Sequence, residues 1–225
     1  AGLLSQGNEW GDHLALLRQV EQHFASQRPV FLLHRLDREA SGLVLIAHHK
    51  AMAATLSQLI QQQRISKTYR ITVLGTLSPA LLQQGEINLP LDGKASSTQF
   101  RRAAELQEPP RTVLDVALIS GRKHQIRRHL KHLFHPILGD TTHGDGKQNQ
   151  IFRQHLDNQQ LLLHCVYTEF LHPISGQRLV VYAPLREPAA FWALWHWDKL
   201  LEQQAIIPVI AELASAPAKI DLVTN

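Results

Sequence analysis

Asp37 stands between Arg35 and Arg38, with His34 before the group and Glu39 after it. Two guanidiniums this near in sequence favour the ionised form of a carboxylate. Residues 34–42 connect two apolar runs, Val30 to Leu33 and Leu43 to Ile46. Polar loops between apolar strands are where rigid scaffolds display functional groups. The same composition also describes a surface turn with a solvated ion pair, and residue types alone leave both readings open. A second charged centre runs from Gly121 to His132 and contains Arg122, Lys123, His124, Arg127, Arg128, His129 and Lys131. On a helix, Arg127 and Lys131 lie at i,i+4, as do His124 and Arg128. Ile126, Leu130 and Leu133 or Phe134 can bury the opposite stripe. A glycine turn before the helix and basic side chains on it suit phosphates, and a solvated basic face is the alternative.

The five histidines from His124 to His143 raise a metal site. No cysteine lies near them and no His-Glu-x-x-His is present, so no metal is expected. The glycine patterns that cradle nucleotide phosphates are absent, and Ser41-Gly42 lacks the Gly-x-Ser-x-Gly frame of a nucleophile elbow.

Helical spacing of Leu14, Leu17, Val20 and Phe24 predicts an amphipathic helix from His13 to about Ser26, with Asp12 as its cap. Lys50 to Gln63 reads as a second helix. Arg64 to Leu74 is β-rich and places Tyr69, Ile71 and Val73 on one face and Thr68, Arg70 and Thr72 on the other. A tyrosine starting on an apolar face needs a partner for its hydroxyl. Residues 76–95 read as turns around a short strand, Glu86 to Leu91. Strands follow at Thr98–Leu106 and Arg111–Ile119, then a helix from Arg122 to Phe134. A long loop covers Gly139 to Asn149, with a short helix from Ile151 to Leu156. Leu161–Phe170 and Leu179–Tyr182 read as a hairpin. Pro188 to Gln204 reads as a helix whose tryptophans pack, and residues 205–225 as a tail. The pattern is α+β, with helices flanking a central mixed, mostly antiparallel sheet. One domain over residues 1–204 and a tail at 205–225 are expected.

The chain has 225 residues, 44% of them hydrophobic, and a formal net charge of +4, which favours an anionic partner. The single cysteine, Cys165, excludes an intramolecular disulfide. No apolar run of about 18 residues exists, and the start lacks the regions of a signal peptide. A cytoplasmic protein without membrane contact is expected.

Five blocks in order carry a resemblance: His34-Arg35-Leu36-Asp37 with Ser41-Gly42-Leu43; Lys67-Thr68-Tyr69-Arg70; Gly121-Arg122-x-His124-Gln125-Ile126-Arg127-x-His129; His135-Pro136-Ile137-x-Gly139-Asp140; and Leu163-His164 with His172-Pro173. Together they resemble the RNA pseudouridine synthases of the large His-Arg-Leu-Asp class. Gly139 to Asn149, with His143 where the ribosomal branch usually carries Tyr, looks most like the branch that modifies a uridine in the T stem of tRNA. The resemblance departs at Ala40, where the family has threonine. The family also has Lys-Pro and two strands before the Gly-Leu that stands at Gly2-Leu3, so part of the sheet edge is expected to be missing.

The resemblance implies the pseudouridine synthase fold and an isomerase that needs neither cofactor nor metal. It implies RNA as partner, with tRNA favoured and ribosomal RNA as the alternative, and a monomer. It assigns Asp37 as the essential carboxylate, Arg127 as its pairing cation, and Tyr69 as the residue that stacks on the flipped base or serves as general base. It places His34 and Arg35 where they occupy the vacated space or grip phosphates. Arg122, Lys123, His124 and Arg128 would bind backbone, and Leu163 would pack on the base. A non-catalytic RNA-binding protein using the same basic cleft is the reading from another class.

Overall fold

The computed structural model describes residues 15–24, 27–107, 109–156 and 160–183. The expected tryptophan-bearing helix and the 204/205 boundary lie outside these residues. Helix α1 (Leu16–His23) is the centre of the first expected helix. Strands β1 (Phe31–Leu32), β2 (Ser41–Gly42) and β3 (Ile46–Ala47) follow, then α2 (Lys50–Gln61) and β4 (Ser66–Leu74). Residues 76–95 hold more than turns. Helix α3 (Pro79–Gln84) forms there because Ser78 caps it, accepting from the Leu81 N–H at 3.3 Å, and Pro79 sits at its first position. Gly85 ends it at φ +61°. Strands β5 (Glu86–Asn88), β6 (Ser97–Leu106) and β7 (Arg111–Leu118) lead to α4 (Gln125–His132). Helix α5 (Gly146–Leu156) begins five residues earlier than expected, because Asp145 accepts from the Gln148 N–H at 2.9 Å. Strands β8 (Leu163–Leu171) and β9 (Arg178–Tyr182) close the described fold.

The main sheet runs β2-β8-β4-β7-β6-β5, with β9 also paired to β8. Among the described strands only the β2–β8 pair is parallel. Strand β8 therefore carries β4 on one edge and both β2 and β9 on the other. Its first half, at His164 and Cys165, holds β2; its second half, from Tyr167, holds β9. The apolar run Leu43 to Ile46 is not one strand. Leu43 donates its N–H to the Cys165 carbonyl at 2.9 Å, and the chain then leaves the main sheet so that β3 pairs with β1 in a separate ribbon. That ribbon packs with α2 around Ala47, Leu56, Leu59, Ile65 and Phe170.

Both faces of β4 are buried. Tyr69, Ile71 and Val73 enter the main core, whereas Thr68, Arg70 and Thr72 are sealed on the opposite face, each with no exposed surface. The alternation marked the two faces correctly, but a polar face in a central strand can be buried when partners cross it. Here Asp115 of β7 receives Arg70 in two hydrogen bonds, at 2.9 and 3.2 Å. The β4–β8 register shifts between Thr68 and Tyr69, leaving Val166 as an extra residue on β8. Such a bulge re-aims the side chains beside it.

Candidate active site

The polar loop after β1 is anchored at three points. At its start, the Leu45 N–H donates to His34 Nε2 at 3.1 Å. At its tip, the Ala40 N–H closes a turn on the Asp37 carbonyl at 3.0 Å. At its end, Ser41 Oγ meets His164 Nδ1 at 2.8 Å, and Gly42 lies flat against β8. Gly42 has φ +110°, and a Cβ there would collide with the Cys165 backbone. Only glycine permits this approach, which fixes where Asp37 is presented.

Helix α4 brings the second half of the site. Its start is pinned by Gln125, a buried amide with all its polar groups engaged. Gln125 Oε1 accepts from Ser120 Oγ at 2.8 Å and from the Arg122 N–H at 3.0 Å. Its Nε2 donates to the Ser97 carbonyl at 2.8 Å and Thr98 Oγ1 at 3.0 Å. The preceding His124 adopts φ +52°, so the expected helix start at Arg122 is instead a turn. Arg127 is then delivered to the sheet with 1% of its side chain exposed.

Arg127 is shared among carboxylates. Its Nε and Nη2 form a two-pronged pair with Asp140, both at 2.8 Å. Asp140 is itself held by the backbone N–H groups of Thr142 (2.9 Å) and His143 (2.8 Å). Asn149 Nδ2 donates to the Asp140 carbonyl, and its Oδ1 accepts from the Gly139 N–H. With both edges used, Arg127 offers Nη1 to Asp37 at 3.1 Å and to Glu39 at 3.3 Å. Burial works against both ions of the Asp140 pair, but these hydrogen bonds outweigh it. The Arg127 guanidinium is pushed up from its ordinary value and the Asp140 carboxyl is held down. Asp37 meets Arg127 through one oxygen only. Its other oxygen, Oδ1, has His124 Nε2 at 3.9 Å, and Asp37 lines an open space.

That space is a cavity of about 260 Å³. Asp37, Tyr69, Arg127, His34, Arg35, Arg122, Lys123, His124 and Leu163 all contribute to its wall, as does Lys67. The structure thus brings together every expected site residue except Arg128. Arg128 turns away into a two-pronged pair with Asp92, at 2.9 Å on both arms. The Tyr69 hydroxyl is pushed well up, first by burial and then by the neighbouring Cys165 and Asp37. Burial and the Lys67 charge pull the His34 imidazole down to about 3, so the ring is neutral near pH 7 and serves as an acceptor. His124 Nδ1 lies 2.9 Å from His143 Nε2. Among the described residues, no group of three His, Cys, Asp or Glu side chains could hold a metal ion.

Four residues of this arrangement had no role from sequence: Glu39, Gln125, Asp140 and Lys67. Asp140 and Gln125 lay inside quoted blocks, but nothing in their spacing names Arg127 or Ser97 as partners.

Residues 1–132 match the family model described as RNA pseudouridylate synthase. The chain belongs to the RNA pseudouridylate synthase family. As a member it is an isomerase that acts on RNA. Its curated relatives include proteins named tRNA pseudouridine synthase C. The one from Vibrio cholerae is 35% identical over 190 residues, which cover 75% of either chain. The one from Salmonella typhimurium is 36% identical over 190 residues, covering 75% of this chain and 71% of that one. Two human proteins share the fold at 20% identity. RNA Pseudouridylate Synthase Domain Containing 1 superposes with a TM-score of 0.62 over 92% of this chain and 88% of its own. Domain Containing 4 does so with 0.63 over 87% and 85%. These matches agree with the family's sheet flanked by helices. No helix among the described residues is long and apolar enough to cross a membrane.

Proposed function

We propose that this protein isomerises one uridine of tRNA to pseudouridine, with Asp37 as the carboxylate that the reaction requires. The observation that carries this is the half-free state of Asp37. Arg127 binds one oxygen and leaves the other without an arginine in a residue that lines the cavity, while Asp140 holds Arg127 by two further hydrogen bonds. The reaction breaks the bond between uracil N1 and ribose C1′, turns the base, and joins C5 to C1′. The proton leaves C5 and N1 gains one, so atoms balance without a cofactor. Asp37 either forms a bond to C1′ or stabilises positive charge on the sugar; both routes need an unshared carboxylate oxygen.

Tyr69 and Leu163 form apolar walls on which the detached base can turn. A uridine in a stem reaches the pocket only by extrusion, at a few kcal/mol. Arg35, Arg122, Lys123 and His124 line the cavity, and phosphates of the extruded strand would lie against them. Neutral His34 shapes the loop and fills space rather than supplying charge. The tRNA assignment draws on the relatives' names. The proposal includes action as a monomer in the cytoplasm.

The test is Asp37→Asn. It is expected to fold as the native protein does and to release no tritium from tRNA labelled at uridine C5. Retained turnover would overturn the assignment. Mapping pseudouridines in cells lacking the protein should show one site lost from tRNA; a site lost from ribosomal RNA instead would move the substrate.

A further inference from the structure

Beside the reaction pocket lies a second cavity, of about 340 Å³, between the end of α2, the start of β4 and the turn after β7. The two cavities share a wall that includes Ile60, Lys67, Leu118 and Arg122. Lys67 stands two residues before Tyr69, so both side chains project from the same face of β4. It is half-buried, and its ammonium meets no hydrogen-bond or ion-pair partner among the described residues. Burial holds its pKa below that of an ordinary lysine, as expected for a cation still lacking its counter-ion. Arg127 already binds the nearby carboxylates Asp37, Glu39 and Asp140. In a protein that acts on RNA, the anion that matches such a lysine is a backbone phosphate. Beyond Lys67, the second cavity offers apolar surface from Ile65 and polar groups from Gln61 and Ser66. That mixture suits the face and edge of a nucleobase.

We propose that Lys67 binds the phosphate joining the target uridine to a neighbouring nucleotide, and that the second cavity seats the base of that neighbour. The enzyme then extrudes two consecutive nucleotides rather than one. This rests on the reading that the first cavity takes the target uridine.

Lys67→Met keeps length and removes charge. Its plot of log affinity against log salt for tRNA should flatten by about one unit, and Lys67→Arg should restore the slope. KM should rise roughly tenfold while kcat stays within about twofold. RNAs with an abasic nucleotide directly 5′ or 3′ of the target locate the neighbour. One of them should lose roughly tenfold in kcat/KM. Gln61→Trp, filling the cavity from the end of α2, should erase that difference. An unchanged salt slope in Lys67→Met, a fall in kcat with KM unaltered, or native turnover of both abasic RNAs would overturn the proposal. Failure of the native protein to modify any RNA would count against the preceding section, and the salt slope of binding would still decide on Lys67.

Discussion

Two buried arginines stand on this sheet system, and they are bound differently. Arg70 reaches Asp115 through Nε and Nη2, and Arg127 reaches Asp140 the same way. Both guanidiniums are sealed, at 0% and 1% exposure. The surplus differs. Asp115 takes a second cation, Arg101 at 3.2 Å, so that centre holds two arginines to one carboxylate. Arg127 faces three carboxylates, Asp140, Asp37 and Glu39. The first centre is closed against solvent at Arg70. The second has a carboxylate, Asp37, that lines a cavity. A buried ion pair alone is therefore no sign of function; the sign is a partner held in excess and pointed at open space.

Removing each arginine separates the two roles. Arg127→Met is expected to abolish pseudouridine formation and to leave Asp140 as an uncompensated buried charge. Arg70→Met still leaves Asp115 with Arg101 at 3.2 Å, so Arg127→Met should lose about 3–5 kcal/mol of stability and Arg70→Met less. The folded fraction of Arg70→Met should nonetheless turn over at a kcat within a few-fold of native. Denaturant melts paired with active-fraction kinetics make the check. A kcat collapse in folded Arg70→Met would erase the distinction.

Asp140, the carboxylate that clamps Arg127, comes next. Asp140→Asn keeps the shape but removes the charge that clamps Arg127. Arg127 is then free to reorient, and Asp37 loses its fixed partner. A fall in kcat of roughly a hundredfold is expected, by analogy with losing the group that orients a catalytic side chain, with KM for tRNA little changed. A change in KM alone would make Asp140 a binding element instead.

The closed centre should tolerate full replacement. Exchanging Arg70 for Met and Asp115 for Leu together removes both buried charges. Such exchanges are often neutral or stabilising, so the double variant should recover most of the stability lost by Arg70→Met. Arg101 would then lose Asp115, but its side chain is about a third exposed to water. No equivalent exchange at Arg127 and Asp140 can retain activity.

Much of the candidate site was legible because its residues lie in short ordered blocks: Asp37 after an apolar run, Tyr69 within a β-rich run, Arg127 on a basic helix. Their convergence follows from the sheet, since β2 lies on β8, which lies on β4. What was not legible is mostly pairing across distance. Arg70 and Asp115 are 45 positions apart, and no local pattern says that a polar strand face will be covered. Arg128 shows the converse. Its helical spacing with His124 suggested a shared phosphate-binding face, but a loop 36 positions earlier supplies Asp92 and claims it. Helix α3 was written in Ser78-Pro79 and Gly85, and those residues serve turns and helix ends alike.

The outermost of the carboxylates around Arg127 should matter least. Glu39 shares Nη1 of Arg127 with Asp37, but its side chain is 43% exposed, so water screens its charge. Glu39→Gln keeps a hydrogen-bond acceptor at that place and removes one of two competing charges. Arg127 then serves Asp37 with no rival for the same nitrogen. Turnover is expected to stay within about threefold of native, and stability within about 1 kcal/mol, as for an exposed ion pair. If Glu39→Gln instead fell as far as Asp37→Asn, the carboxylate chosen by its place in the cavity would be the wrong one. The two residues share a turn and a cation, and only Asp37 lines the pocket. Kinetics of these two variants on one tRNA preparation therefore test whether facing the cavity, rather than touching Arg127, selects the reactive group.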